Sequence, residues 1–128
     1  MVHELLAKVG LVEELRQVLA EFPLPVQAEY WCTLSDWGRE AEAAAVAGDA
    51  PLARRAIEVL TPYRGRMQLS GAAGMSGIVD ASLALAHATV GELSTAAELA
   101  DSATDRAQEW GLAAYVRWLD DHRARLGF

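Results

Sequence analysis

Apolar residues recur along this chain at steps of three and four, the period of one face of a helix. From Gly77 to Gly111 the pattern predicts a helical hairpin. Val79, Leu83, Ala86 and Val90 mark a first arm that ends near Thr89, and a break follows at Val90-Gly91. Leu93, Ala96, Ala100, Ala103 and Ala107 mark a second arm that reaches Trp110. Most of this stripe is alanine, which lets the arms approach at the lower end of interaxial distances. Glycine at 91 suits the left-handed residue that ends a helix, having no Cβ to clash.

The same pattern extends over the rest of the chain. Residues 2–22 predict a helix pair broken at Gly10, with Leu5, Val9, Val12, Leu15, Leu19 and Phe22 facing inward, and Pro23 and Pro25 closing the unit. Val26 to Ala47 predicts the longest helix, with Tyr30, Leu34, Trp37, Ala41 and Ala44 buried. Gly48 ends it, and Asp49 caps a shorter helix with Pro51 in its first turn. Leu52, Ala53, Ala56, Ile57 and Leu60 give that helix its core face, and it stops before Pro62. Leu112, Val116 and Leu119 carry a last helix toward Leu126. Only Thr61 to Ser76 lacks a period, which predicts an irregular connector long enough to be functional or mobile.

An internal repeat ties these pieces together. Gly10, Gly48 and Gly91 each separate two helices, and the residue five later is Leu15, Ala53 or Ala96, always on the inner face. The spacings, 38 and 43 residues, lie near the period of helix-pair solenoids. The chain therefore predicts as one all-α domain over 1–128, a right-handed α-solenoid of antiparallel helix pairs of tetratricopeptide-like type. Its repeats cover approximately 2–22, 26–60 and 77–110, with a terminal helix over 112–126, so that about three and a half are present. The terminal helix offers Tyr115, Val116, Trp118 and Leu119 with no helix after it. It is a cap, a step in a longer stack, or a face that a second copy covers in a homodimer.

Composition narrows the function. Apolar residues make up 52% and aromatics 7%, and alanine occurs 25 times, so the core is built of alanine and leucine. A net charge of −7, with ten Arg and the single Lys8 scattered among carboxylates, argues against a nucleic-acid surface. The charged positions Glu4, Lys8, Glu13, Glu14 and Arg16 exclude a signal peptide or membrane span at the start, and a cytoplasmic protein is expected. Cys32 has no partner for a disulfide and reads as a small buried residue.

Catalytic and metal chemistry find little support. His3-Glu4-Leu5-Leu6-Ala7 begins like a zinc motif but has alanine where the second histidine belongs. His87 and His122 lack a second ligand at helical spacing, and Ser70, Ser76 and Ser94 lack a base. Asp120-Asp121-His122-Arg123 reads as a solvated face with local ion pairs. Neither metal nor cofactor is expected, and the protein reads as a non-enzyme. Binding candidates are clearer. Arg64 and Arg66 flank Gly65 beside Tyr63, an arrangement that can cradle an anion. Trp31 lies off the buried stripe, and Tyr115 and Trp118 share a face of the last helix; all three suit anchors for a protein or peptide in a concave groove. Trp37 and Trp110 are assigned to the core.

Over Leu60 to Leu126 the chain also resembles a known region. The residues that carry the likeness are Leu60-Thr61-Pro62-Tyr63-Arg64-Gly65-Arg66, the glycine-rich gap to Gly77, Leu83-Ala84 and Ala86 before Gly91, then Ala96 and Gly111. They are similar to the tetratricopeptide-like C-terminal region of LuxR-type (MalT-like) ATP-dependent transcriptional regulators and adenylate-cyclase-type ATPases. That resemblance implies an arm that senses an effector or contacts a protein partner. The chain departs from those proteins in lacking a Walker lysine after Gly71 to Gly77 and any helix-turn-helix reader after Leu112, so neither ATP hydrolysis nor DNA binding is carried over. The expected function is a non-catalytic interaction or effector-sensing module from such a regulator. The alternatives are a small-molecule pocket under the 61–76 loop and a homodimerisation module.

Overall fold

The computed structural model describes residues 2–22, 30–70 and 74–128, the side chains of Val2 and Glu4 excepted. The described chain is mostly helical, with a small two-stranded sheet. Its helices are α1 (Val2–Val9), α2 (Val12–Glu21), α3 (Thr33–Ala47), α4 (Ala50–Leu60), α5 (Val79–Thr89), α6 (Leu93–Glu109) and α7 (Ala113–Leu126). A single 3-10 turn, Thr61–Tyr63, leads from α4 into an antiparallel hairpin of β1 (Met67–Leu69) and β2 (Met75–Ile78).

Helix α5 sits at the centre because it is apolar nearly all round. Every residue in it except His87 and Thr89 is buried. It packs on α3, α4, α6 and α7, most extensively on α6, where Ala96, Ala100, Ala103 and Ala107 let the two backbones approach. The odd-numbered helices form one row, with α1 against α3, α3 against α5 and α5 against α7. The even-numbered helices each lie against the odd helix that precedes them. The main core joins Trp37, Leu60, Ile78, Leu83, Leu99 and Leu119 through these alanines. A second cluster, Ala7, Leu15 and Leu19 with Ala43 and Ala47, fastens α1 and α2 to α3.

Local signals explain the helix ends. Gly48 takes φ 69° and closes α3, its chain turning so that the Asp49 N–H reaches Ala44 O at 2.9 Å. The Asp49 carboxylate then accepts from Leu52 N at 3.0 Å and starts α4. Gly10 and Gly91 take φ 74° and 86° at the other two breaks.

Several expectations are corrected. The segment 61–76 holds the 3-10 turn and the hairpin instead of being irregular; Gly71 lies outside the described residues. The longest described helix is α6, and α3 begins at Thr33; Val26 to Ala28 lie outside the described residues, as do Pro23 and Pro25. Tyr30 precedes α3, has no helical phase, and is exposed. Leu5, Val9 and Phe22 are exposed because α1 and α2 turn their small residue Ala7, with Leu15 and Leu19, onto the alanines of α3. Leu93 is exposed in the first turn of α6. Trp110 falls at the cap of α6, past the packed stripe, and is exposed with the Arg106 guanidinium 5.7 Å from its ring. His122 is buried rather than solvated, although Asp120 and Asp121 are exposed.

Candidate functional site

A polar hollow forms where the hairpin folds over the row of odd helices. Strand alternation turns Gln68 inward between the exposed Met67 and Leu69. Its amide lies flat on α3 at Gly38, where an added Cβ would stand 2.4 Å from Oε1, and beside Gly77, where the distance would be 2.6 Å. Gln68 Nε2 donates to Ser82 Oγ of α5 at 2.9 Å. Ser76 Oγ stands 3.2 Å from the Gln68 carbonyl and 2.9 Å from Ser35 Oγ. Its one proton goes to the carbonyl, which can only accept, and Ser35 then donates to Ser76. The Tyr115 hydroxyl reaches over from α7 to accept the Ile78 N–H at 3.0 Å. Burial pushes that phenol above its ordinary value, so it stays protonated.

These groups border a hollow of about 350 Å³, within the range of about 300–1,000 Å³ common to small-molecule sites. Helix α3 contributes Ser35, Gly38, Arg39 and Glu42, and the hairpin contributes Gln68, Met75 and Ser76. Lys8, Ser82, Tyr115 and Trp118 complete the wall, so all four odd helices take part. Arg39 is engaged with Asp36 at 2.9 Å and with Ser70 Oγ at 3.1 Å.

Glu42 stands at the edge of this hollow. Burial raises its carboxyl, but hydrogen bonds from His122 and Trp118 and the charge of Lys8 outweigh burial and bring it below the ordinary value. Both bonds fall on one oxygen: Trp118 Nε1 donates to Oε1 at 3.2 Å, and His122 Nε2 lies 3.3 Å from it. Arg125 donates to the other ring nitrogen of His122. Tyr115, Trp118 and His122 form a row of rings on α7, with centroids 4.9 and 4.7 Å apart. A second hollow of about 320 Å³ adjoins, sharing Lys8, Glu42 and Trp118 and adding Val46, Asp121, His122 and Arg125.

Two residues back on α3, Glu40 has the opposite character. It is 4% exposed, His3 Nδ1 lies 2.5 Å from Oε1, and Oε2 has no partner among the described residues. Burial pushes its carboxyl up, and the bond to His3 offsets only part of that.

The Tyr63–Arg66 turn is fixed by an internal anion. Asp80, 3% exposed at the start of α5, accepts the Gly65 N–H at 2.9 Å and the Ser102 hydroxyl at 2.8 Å, with Arg64 Nε at 3.8 Å. Arg66 stacks on Tyr63, 5.6 Å from the ring centroid. Tyr63 also borders an open hollow of about 380 Å³ with Tyr30, Trp31, Thr33 and Leu34. Trp31 is 76% exposed there, and Tyr30 bonds Asp36, which pushes its hydroxyl up to about 12.

The structure thus separates the six residues singled out from the sequence. Tyr115 and Trp118 share the hollow under the hairpin, Trp31 and Tyr63 share the open one, and Arg64 and Arg66 line neither. The terminal helix is covered by its own chain: Leu119 is buried, Tyr115, Val116 and Trp118 pack on the main core, and Arg117, Asp120 and Asp121 face out. Sequence reasoning missed Ser35, Glu42, Gln68 and Ser82. Only Glu42 carried a signal, as a charge that, with Glu40, interrupts an alanine-rich stretch of α3.

Among the described residues no group of three His, Cys, Asp or Glu is placed to hold a metal, and no helix is long and apolar enough to cross a membrane. Comparison with protein-family models, curated proteins and solved structures finds no match.

Proposed function

We propose that this protein is a non-catalytic, cytoplasmic effector-sensing module that takes a small polar molecule into the hollow beneath the β1–β2 hairpin. In this reading the helices are a right-handed stack of antiparallel, tetratricopeptide-like pairs, and the module belongs to or derives from a LuxR-type bacterial regulator. The row of odd helices supports the stack. The observation that carries the sensing role is a convergence: four helices and a hairpin bring hydroxyls, an amide and an ionised carboxylate to a hollow of about 350 Å³, as ligand sites do. Among the described residues that line it, the serines bond to an amide and to each other.

The test is a thermal-shift screen of polar metabolites, followed by hydrogen exchange. A ligand of the hollow should raise Tm, slow exchange of the 75–78 amides and change Trp118 fluorescence, with the last signal lost in Trp118→Phe. A binder whose effects survive Trp118→Phe but vanish in Trp31→Ala would move the function to the open hollow. That second reading, docking of a protein or peptide, rests on the exposure of Trp31 beside Tyr30 and Tyr63. Homodimerisation through α7 has less support, because its exposed positions are charged residues and alanines, with no large apolar side chain. An ATPase or DNA-binding module encoded beside this chain would support the regulator assignment.

A further inference from the structure

We propose that the hollow under the hairpin receives a small zwitterion of amino-acid size, its carboxylate at Ser82 and Tyr115 and its ammonium at Glu42. This rests on the effector reading above and names the chemistry of the effector.

The argument is an accounting of hydrogen-bond capacity. Tyr115 accepts from the Ile78 N–H and Ser82 accepts from the Gln68 amide, yet neither hydroxyl donates to another group among the described residues. Each therefore has a proton to give. Ser82 is 4% exposed, and a buried donor left without an acceptor is costly. A carboxylate meets both hydroxyls with charge-assisted bonds, which are stronger than neutral ones. Burial holds Tyr115 protonated, so it remains a donor.

Glu42 presents the opposite need. Oε1 takes the bonds from both Trp118 and His122, so Oε2 keeps its capacity to accept, with the Lys8 charge acting on the carboxylate as a whole. A ligand ammonium supplies three N–H donors. One hollow therefore holds an acceptor-seeking end and a donor-seeking end, with Met75 and Trp118 as apolar wall. A plain anion would meet the hydroxyls, with Lys8 and Arg39 also in the wall, but would offer Glu42 Oε2 no donor. A plain amine would suit Glu42 and leave the hydroxyls unmet. A zwitterion answers both.

Calorimetric titration of the whole chain tests this, using the twenty protein amino acids, each beside its decarboxylated amine and its deaminated acid. At least one amino acid should bind, with its amine and its acid each weaker by about tenfold or more. Ser82→Ala, Tyr115→Phe and Glu42→Gln should each weaken that binding by a similar factor while the far-UV circular dichroism is kept. The wild-type series decides if a variant unfolds. Equal binding by an amine or an acid, or no binding by any amino acid, overturns the zwitterion. If a different polar metabolite then binds with loss of the Trp118 signal in Trp118→Phe, the effector reading stands alone. If none does, both fall.

Discussion

Gly38 and Gln68 constrain each other. In an ordinary helix interior, glycine to alanine stabilises by about 0.5–1 kcal/mol. At Gly38 the new Cβ would stand 2.4 Å from the Gln68 Oε1, and that amide is 3% exposed and held by Ser82. Dislodging it costs about 1–3 kcal/mol for a broken buried hydrogen bond. Gly38→Ala should therefore lower stability by about 1 kcal/mol in urea titration, from the balance of those terms. In a Gln68→Ala background the same change should instead stabilise, and destabilisation in both backgrounds would refute the close fit. Glu40 and Glu42 set up a second contrast between near neighbours. The folded-state carboxyl of Glu42 lies below its ordinary 4.5, so its contribution is present above that value and is lost as pH falls through the lower one. Glu42→Gln should cost about 1–3 kcal/mol near neutrality, and the deficit should shrink on acidification. For Glu40 the folded value is raised, so a penalty is present at neutral pH and lifts as pH falls through that raised value. Any advantage of Glu40→Gln over wild type should therefore be greatest near neutrality and fade in acid. Slopes of the same sign for the two variants would contradict these environments.

The hairpin depends on an anchor outside it. Asp80 ties the Gly65 N–H and the Ser102 hydroxyl to the first turn of α5, and Val79 N–H reaches back to Arg66 O at 3.0 Å. Asp80→Ala should orphan the Gly65 N–H and cost about 1.5–3 kcal/mol, the range for a hydrogen bond to a charged group. Hydrogen exchange should quicken at Gly65 and through 67–78 while α6 stays protected; unchanged exchange at Gly65 would refute the anchor. This element also marks the limit of what the sequence discloses. The helices are legible because stripes such as Ala96-Ala100-Ala103-Ala107 and breaks such as Gly48-Asp49 are local signals that packing reinforced. The hairpin is not legible, because β1 and β2 have three and four residues, with a register shift after Gln68, too short for alternation to register. The candidate site followed the same division. Tyr115 and Trp118 were visible at helical spacing, whereas Gln68 and Ser82 are brought together only by that unforeseen hairpin. The Arg64-Gly65-Arg66 pattern pointed to an anion, and the Asp80 carboxylate lies at Gly65.

The whole molecule carries two cores of unequal size, and this should set the order in which it opens. The larger core joins α3 through α7 around the buried helix α5. The smaller one holds α1 and α2 to α3 through Leu15, Leu19 and three alanines, supported by the His3–Glu40 bond and by Arg16 donating to Ala47 O at 2.9 Å. In a chain where each unit touches mainly its neighbours, stability is close to a sum of local terms, and the unit with the least buried area opens first. Native-state hydrogen exchange should accordingly show two tiers, with α1 and α2 exchanging at lower free energy than α5 and α6. Leu15 is fully buried at the centre of the small cluster, and Leu15→Ala should remove about 2–5 kcal/mol of local stability by loss of burial and a cavity. That is enough to melt α1 and α2 while α5 keeps its protection. Lys8 lies on α1 and lines the hollow that Glu42 and Trp118 border, so opening of this pair also opens one wall of the proposed effector site. Leu15→Ala should therefore weaken ligand binding without touching a residue of the hollow. Uniform loss of protection across all helices in that variant would mean that the two clusters unfold as one.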